Sequence, residues 1–157
     1  MKNILADCPD GDGIILRVFC IEDYDAVVTL WRRSEGVGLN ESDTRDAIAA
    51  FLRRNPRLSL VAQKRGRIIG AVLCGHDGRR GYLHHLAVSK RHRQHGIGRQ
   101  LVNACMMKLR KIGIQKCTIF LFAENVTGRK FWIHNGWSLR ADIQLMQIRL
   151  DDNKSVK

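Results

Sequence analysis

Leu86-Ala87-Val88-Ser89-Lys90-Arg91-His92-Arg93-Gln94-His95-Gly96-Ile97-Gly98 decides how this 157-residue chain is read. Tyr82-Leu83-His84-His85, just before it, joins Leu86–Val88 to make a short strand, and a basic loop and two glycines follow. Beyond them, Ile97, Leu101, Val102, Cys105, Leu109 and Ile112 recur at three- to four-residue spacing, the apolar side of a helix. Gly113 stands where a C′ glycine ends such a helix. A helix start leaves four backbone N–H groups without partners, and Ser, Thr, Asp or Asn usually caps them. Here only Arg91, Arg93 and glycine precede the helix, with no acid and no obvious cap. Bare N–H groups, the positive end of the dipole and nearby arginines suit an anion, most naturally a phosphate.

Spacing excludes the commoner phosphate loops. A dinucleotide fingerprint needs glycine at its first, third and sixth positions, and after Gly96 and Gly98 the sixth is Leu101. A P-loop needs Gly-Lys-Ser/Thr, which the chain lacks. What remains, Arg93-Gln94-His95-Gly96-Ile97-Gly98, reads Arg/Gln-x-x-Gly-x-Gly/Ala. That hexapeptide resembles the pyrophosphate-binding loop of the GNAT superfamily of acetyl-coenzyme A-dependent N-acetyltransferases. The surroundings agree with the resemblance. A strand ending Leu86-Ala87-Val88 precedes the hexapeptide and an amphipathic helix follows it; then come Cys117 to Phe122 with Asn125, and Phe131-Trp132-Ile133-His134-Asn135-Gly136-Trp137. The resemblance extends over roughly Arg17 to Leu150.

Periodicity and turn residues outline the elements. Strands are expected over Ile14–Phe19, Leu58–Lys64, Arg67–Gly75, Gly81–Val88, Lys116–Phe122 and Trp137–Leu150, the last as one strand or two. Helices are expected over Tyr24–Arg32, Asp43–Arg54 with Ser42 as cap, Gly98 to Gly113 and Val126–Asn135. The order implies an α/β fold, a single GNAT-like domain with a mixed central sheet flanked by helices on both faces. Its core is expected over about 14–150, with flexible ends at 1–12 and 152–157.

Acetyl transfer from a thioester to an amine requires a held cofactor, removal of a proton, and stabilisation of an oxyanion. By resemblance, acetyl-coenzyme A is the cosubstrate and no metal is involved. Backbone of Leu86, Ala87 and Val88 would pair with the pantetheine arm, and the N–H of Val88 would point at the thioester carbonyl. The loop Arg93, Gln94, His95, Gly96, Ile97 and Gly98 would cradle the pyrophosphate, with Arg91 and Arg99 adding charge. Asn125 would bond the cofactor arm. For the proton, strand alternation puts Tyr82, His84 and Leu86 on one face and Leu83, His85 and Ala87 on the other. Arylalkylamine-acetylating members use histidines at alternate positions of this strand, which here are Tyr82 and His84. His84 is the expected base, since imidazole titrates near neutrality. His85 is a second candidate facing away. The family's usual proton donor to the thiolate is a Tyr where this chain has Trp132. Indole N–H donates a hydrogen bond but does not give up its proton, so Tyr82 or water would have to serve, with Trp132 shaping the thiol pocket.

Charge is polarised along the chain. The net charge is +12, yet residues 78–123 contain no Asp or Glu, while ten of the fifteen acids lie in 1–46. A basic middle suits coenzyme A phosphates; a nucleic-acid surface is the weaker account, without an RNP-type aromatic motif or zinc finger. In the acidic third, Glu35, Glu41, Asp43 and Asp46 fall in the first two helices and their connection, which by resemblance would wall the acceptor pocket and suit a cationic acceptor. Helix-start acids favoured by the dipole explain them equally. The five cysteines form no C-x-x-C pair and read as reduced thiols of a cytoplasmic protein. No apolar run approaches the ~20 residues of a membrane helix. Three readings therefore stand: an N-acetyltransferase acting on a small-molecule or peptide amine, a catalytically weak acyl-coenzyme A-binding regulatory module, and a basic nucleic-acid-binding protein. A homodimer joined through the final strand is an arrangement the sequence allows.

Overall fold

The computed structural model describes residues 13–150; the expected flexible ends and Cys8 lie outside the described residues. The elements are β1 (Ile14–Val18), α1 (Tyr24–Arg32), α2 (Arg45–Arg54), β2 (Leu60–Lys64), β3 (Arg67–His76), β4 (Gly81–Val88), α3 (Ile97–Lys111), β5 (Cys117–Ile119) and α4 (Val126–His134). The described chain forms two compact units that part between Asn125 and Val126. All five strands lie in the first, in the order β1-β2-β3-β4-β5. Neighbours are antiparallel except β4 and β5, which run parallel with α3 as their crossover. This is the expected α/β fold with a mixed sheet.

Side chains on β3 alternate between two cores. Ala71 and Leu73 pack with Val27, Val28 and Trp31 of α1 and with Ile48 of α2. Gly75 serves the same face, since a Cβ there would sit 2.7 Å from the Phe51 ring of α2. The opposite face carries α3. Its buried residues are Ile97, Leu101, Val102, Cys105 and Leu109, and Gly70 and Gly81 make room for Leu101 and Leu109. Each such side chain contributes about 1.5–3 kcal/mol on burial, so α3 is held by packing and not by its first turn.

Four sequence expectations are corrected. Ile112 is half exposed, because the helix ends at Lys111 and Ile112 itself is the cap. Gly113 then closes a Schellman motif, its N–H bonding Arg110 O at 3.0 Å while Ile114 N–H bonds Leu109 O at 3.0 Å. The N-cap of α2 is Thr44, whose side chain accepts from Ala47 N; Ser42 lies in a separate 3-10 turn, Glu41–Asp43, capped by Asn40. β5 is only three residues long, and β4 is its sole sheet neighbour among the described residues. Finally, Trp137–Leu150 forms no strand. Strand N–H and C=O groups need a partner ladder, and the apolar positions change phase between Leu145 and Met146, so no single face is continuous. Met146, Ile148 and Leu150 remain more than four-fifths exposed.

The second unit contains α4 and residues 135–150. Gly136 (φ +85°) ends α4 by the same motif as Gly113, with Gly136 N–H on Ile133 O and Trp137 N–H on Trp132 O, both at 3.0 Å. Trp132 and Trp137 meet edge to face at 4.8 Å, the apolar contact that accompanies such a helix stop.

Candidate active site

β4 and β5 pair only through Gly81–Cys117, Tyr82–Thr118 and Leu83–Ile119. From His84 to Val88 the edge of β4 that faced β5 has no strand beside it among the described residues. The other edge stays joined to β3: Ala71 opposes Ala87, Gly70 opposes Val88, and Ser89 N–H donates to Ile69 O at 2.8 Å. Since backbone groups alternate sides along a strand, the N–H of Val88 then faces the gap. On that side its carbonyl accepts from Arg93 Nε at 3.0 Å. Arg93 therefore ties the following loop back to the strand, besides lending it charge.

The ladder between β3 and β4 contains a bulge. Leu73 opposes His84 and Ala71 opposes Ala87, so His85 and Leu86 together face the single residue Val72. His85 adopts φ +52°, the left-handed region. The even alternation expected over Tyr82–Ala87 stops there, and His85 does not face away from His84. Both histidines lie toward α1 and α2. The His84 ring is 6.2 Å from Phe51 of α2. The His85 ring is 5.0 Å from Trp31 of α1, and its Nε2 lies 2.8 Å from Asp43 Oδ1.

Asp43, expected among the acids of the acceptor side, makes a contact with His85 that the sequence reading did not find. Its Oδ2 accepts from Asn40 N at 2.9 Å and its carbonyl from the Tyr24 hydroxyl at 2.7 Å. The carboxylate is 8 % exposed and the His85 side chain 17 %, so the pair is shielded from water. Forty-two residues separate the two, and no local pattern announces the contact. Asp43 is thus spent within the protein, whereas Glu35 makes an exposed surface pair, its Oε1 2.8 Å from Lys90 Nζ. Of the four acids expected to wall the acceptor pocket, two are already paired with protein cations or imidazole.

His84 lies among rings: Tyr82 at 6.3 Å, Phe120 at 6.2 Å and Phe51 at 6.2 Å. Burial holds its pKa below the ordinary imidazole value; neighbouring His85 lowers it further, and Asp43 partly opposes both. A lowered pKa favours the neutral imidazole, the form that carries a lone pair. Tyr82 turns its hydroxyl toward Asp77 Oδ2, 3.5 Å away.

After Val88 the chain makes a 3-10 turn, Lys90–His92, closed by the Ser89 Oγ–His92 Nδ1 contact at 2.6 Å. Gln94 (φ +63°) and Gly96 (φ +76°) are both left-handed, and Gly96 is the N-cap of α3. Gln100 N–H donates to Gly96 O at 2.9 Å, the first bond of the helix. Ahead of it stand the N–H groups of Ile97, Gly98 and Arg99, with no side-chain cap and no acid in the first turn. Left-handed residues alternating in a loop turn successive N–H groups toward one concavity, which suits an anion. His95 bonds the Arg93 carbonyl through Nδ1 at 2.7 Å, and Arg91 and Arg99 are exposed.

Past β5, Asn125 packs its amide against Gly36, where any Cβ would collide with it, and Phe122 lies against Gly38. The α1–α2 loop is thus seated on the segment after β5. Trp132 belongs to the second unit, where it packs on Phe131 and Trp137. Among the described residues no group of His, Cys, Asp and Glu is arranged to hold a metal, and no helix is long and apolar enough to cross a membrane.

A profile of the Acetyltransferase (GNAT) family matches residues 24–137, which include the strand edge, the anion loop and the end of α4. The chain belongs to that family. An acetyltransferase of Pectobacterium atrosepticum is 34 % identical over 110 residues, covering 70 % of this chain and 77 % of that protein. Ard1 of Thermoplasma volcanium shares the fold, with a TM-score of 0.73 at 19 % identity over 82 % of this chain and 85 % of that one. The PaiA N-acetyltransferase of Thermoplasma acidophilum, solved in complex with coenzyme A, matches with a TM-score of 0.73 at 20 % identity over 81 % and 91 %. Resemblance and fold therefore agree. The family landmarks in this GNAT chain fall at the parted edge of β4, at the uncapped start of α3 and at the Schellman stop of α4.

Proposed function

We propose that this chain transfers an acetyl group from acetyl-coenzyme A directly to a primary amine of a small molecule or peptide. One observation carries the reading: from His84 to Val88 the strand edge has no strand beside it among the described residues, and it leads straight into an uncapped helix start with no acid in its first turn. An extended polar arm ending in a diphosphate satisfies both at once. PaiA, which shares the fold, holds coenzyme A. The thioester supplies the acetyl group and releases a thiolate.

The residues divide the work. Leu86, Ala87 and Val88 offer backbone groups to the arm, and the Val88 N–H stabilises the developing oxyanion. The loop from Arg93 to Gly98 takes the diphosphate on its N–H groups, with Arg91 and Arg99 adding charge and Asn125 holding the far side of the gap. His84, neutral and enclosed, accepts the proton of the amine directly or through water. His85 sits behind it, held by Asp43. Tyr82 is occupied by Asp77, so water is the donor to the departing thiolate. Unpaired thiols at Cys20, Cys74, Cys105 and Cys117 suit a reducing, cytoplasmic setting.

The test is release of coenzyme A thiol from acetyl-coenzyme A in the presence of an amine panel. Turnover that falls at least a hundredfold in His84→Ala, with coenzyme A affinity nearly unchanged, supports the base. Equal losses in both contradict it. A second reading, an acyl-coenzyme A-binding regulatory module with weak turnover, is favoured by Trp132, which packs on its neighbours and offers no transferable proton. Tight binding of coenzyme A without thiol release for any amine would select it.

A further inference from the structure

Resting on the acetyltransferase reading, the acceptor can be narrowed by what surrounds His84. Tyr82 and His84 lie two apart on β4, and Phe120 continues β5 just past its last paired residue, Ile119. The three rings are nearly parallel: Tyr82–His84 at 6.3 Å and 12°, Tyr82–Phe120 at 6.2 Å and 11°, His84–Phe120 at 6.2 Å and 23°. In a column of three, the outer pair would be twice as far apart as its neighbours. Equal separations exclude a column, so no ring is sandwiched between the other two. Phe51 of α2 stands edge-on to His84 at 83°, closing one side.

This cluster is not core. Tyr82, His84 and Phe51 are half-buried, and Phe120 is 56 % exposed. The cluster stands where β4 and β5 separate, and His84 belongs to it. Large apolar rings around one convergent polar group are the usual make-up of a small-molecule site. Asp43, the carboxylate that reaches these histidines, is enclosed and taken by His85. An aromatic ring finds flat partners here that stack.

We infer that the acceptor is a primary amine on a short alkyl chain bearing an aromatic ring, with the ring lying on Tyr82 and Phe120 and the nitrogen at His84. The test compares 2-phenylethylamine, n-butylamine, spermidine and an alanine-initiated peptide as acceptors at fixed acetyl-coenzyme A. The expected kcat/KM for 2-phenylethylamine is at least tenfold above each of the others, within the range a hydrophobic pocket discriminates. Phe120→Ala and Phe120→Leu should each shrink the phenylethylamine-to-butylamine ratio several-fold, with thermal melts confirming that both fold. Spermidine, butylamine or the peptide matching phenylethylamine would overturn the proposal, as would a ratio unmoved by both substitutions. Calorimetry of 2-phenylethylamine onto the coenzyme A complex separates the two readings. Binding that Phe120→Ala weakens, with no acetyl transfer to any amine, refutes the transferase and keeps the aromatic site. Turnover of amines with no preference for the aryl group, or no phenylethylamine heat, refutes the aromatic site alone.

Discussion

Replacing Asp43 by alanine would remove the carboxylate that, with the Trp31 ring, holds His85 in its left-handed bulge from outside the strand. Two bonds go: Oδ1 to His85 Nε2 at 2.8 Å and Oδ2 to Asn40 N at 2.9 Å. The Asn40 N–H belongs to an exposed residue and can turn to water, so its loss costs little. His85 is different, because its side chain is only 17 % exposed and Asp43 is 8 % exposed. A hydrogen bond to a charged group is worth about 1.5–3 kcal/mol, and a partner left unsatisfied in a shielded place puts the loss at the upper end, about 3 kcal/mol. For a chain of this length each kcal/mol moves the melting point by about 2–4 °C, so Asp43→Ala should melt about 6–12 °C lower.

Urea titration is the assay, because a shifted midpoint with unchanged slope isolates stability. Asp43→Asn keeps an acceptor for Asn40 and a polar neighbour for His85, and should lose about half as much. A double-mutant cycle with His85→Ala should return a coupling of about 1–3 kcal/mol. Turnover should fall with stability while coenzyme A affinity holds, since the anion loop touches neither residue. Costs that simply add, within about 0.5 kcal/mol, would refute the idea that Asp43 and His85 act as a unit.

The pH dependence of kcat/KM should show an acid limb below the ordinary imidazole pKa of about 6.5, because burial lowers the pKa of His84; a limb above that value would contradict the assignment. Stability follows the same sign: below about pH 6.5 an unfolded chain takes up a proton that folded His84 refuses, so urea midpoints should drop as pH falls through that window. Gly96→Ala meets no steric neighbour but forces alanine to φ +76°, so it should cost about 1–2 kcal/mol and weaken coenzyme A binding measured by calorimetry. Burial raises the Cys117 thiol to about 12, and a hydrogen bond with Cys74 together with burial raises Cys105; peptide mapping after iodoacetamide treatment of the native protein should find both unlabelled.

The fold was legible where a residue type had one job. The Gly113 stop and the apolar stripe of α3 from Ile97 to Leu109 follow from spacing, and the helix Tyr24–Arg32 matches residue for residue. The tail was not legible. Trp137–Leu150 has strand-like composition, but a strand exists only with a partner, and composition does not say whether one is present. Within the site, the strand and the loop were readable because strand, glycines and helix are contiguous in sequence. The face on which His85 lies was not. Alternation is a rule of unbroken ladders, and the bulge depends on how Val72 of a neighbouring strand is opposed.

That bulge and the Trp132 substitution point to the same division within this family member. The Phe131–Trp137 motif is satisfied as a helix stop: Gly136 takes the left-handed turn, Trp137 returns its N–H to Trp132 O, and the two indoles pack together. A phenol at position 132 is not required for that packing, so Trp there is compatible with the local fold while removing a proton donor. On β4 the extra residue brings a second imidazole to the face of the first. Two histidines share one face, one enclosed by rings and one held by a carboxylate, and in the proposed mechanism the enclosed one takes the amine proton. If this is the arrangement that carries catalysis, Trp132→Tyr should raise turnover only slightly, about threefold or less, while His84→Ala removes most of it. A gain of a hundredfold on restoring the phenol would show instead that thiolate protonation limits this enzyme.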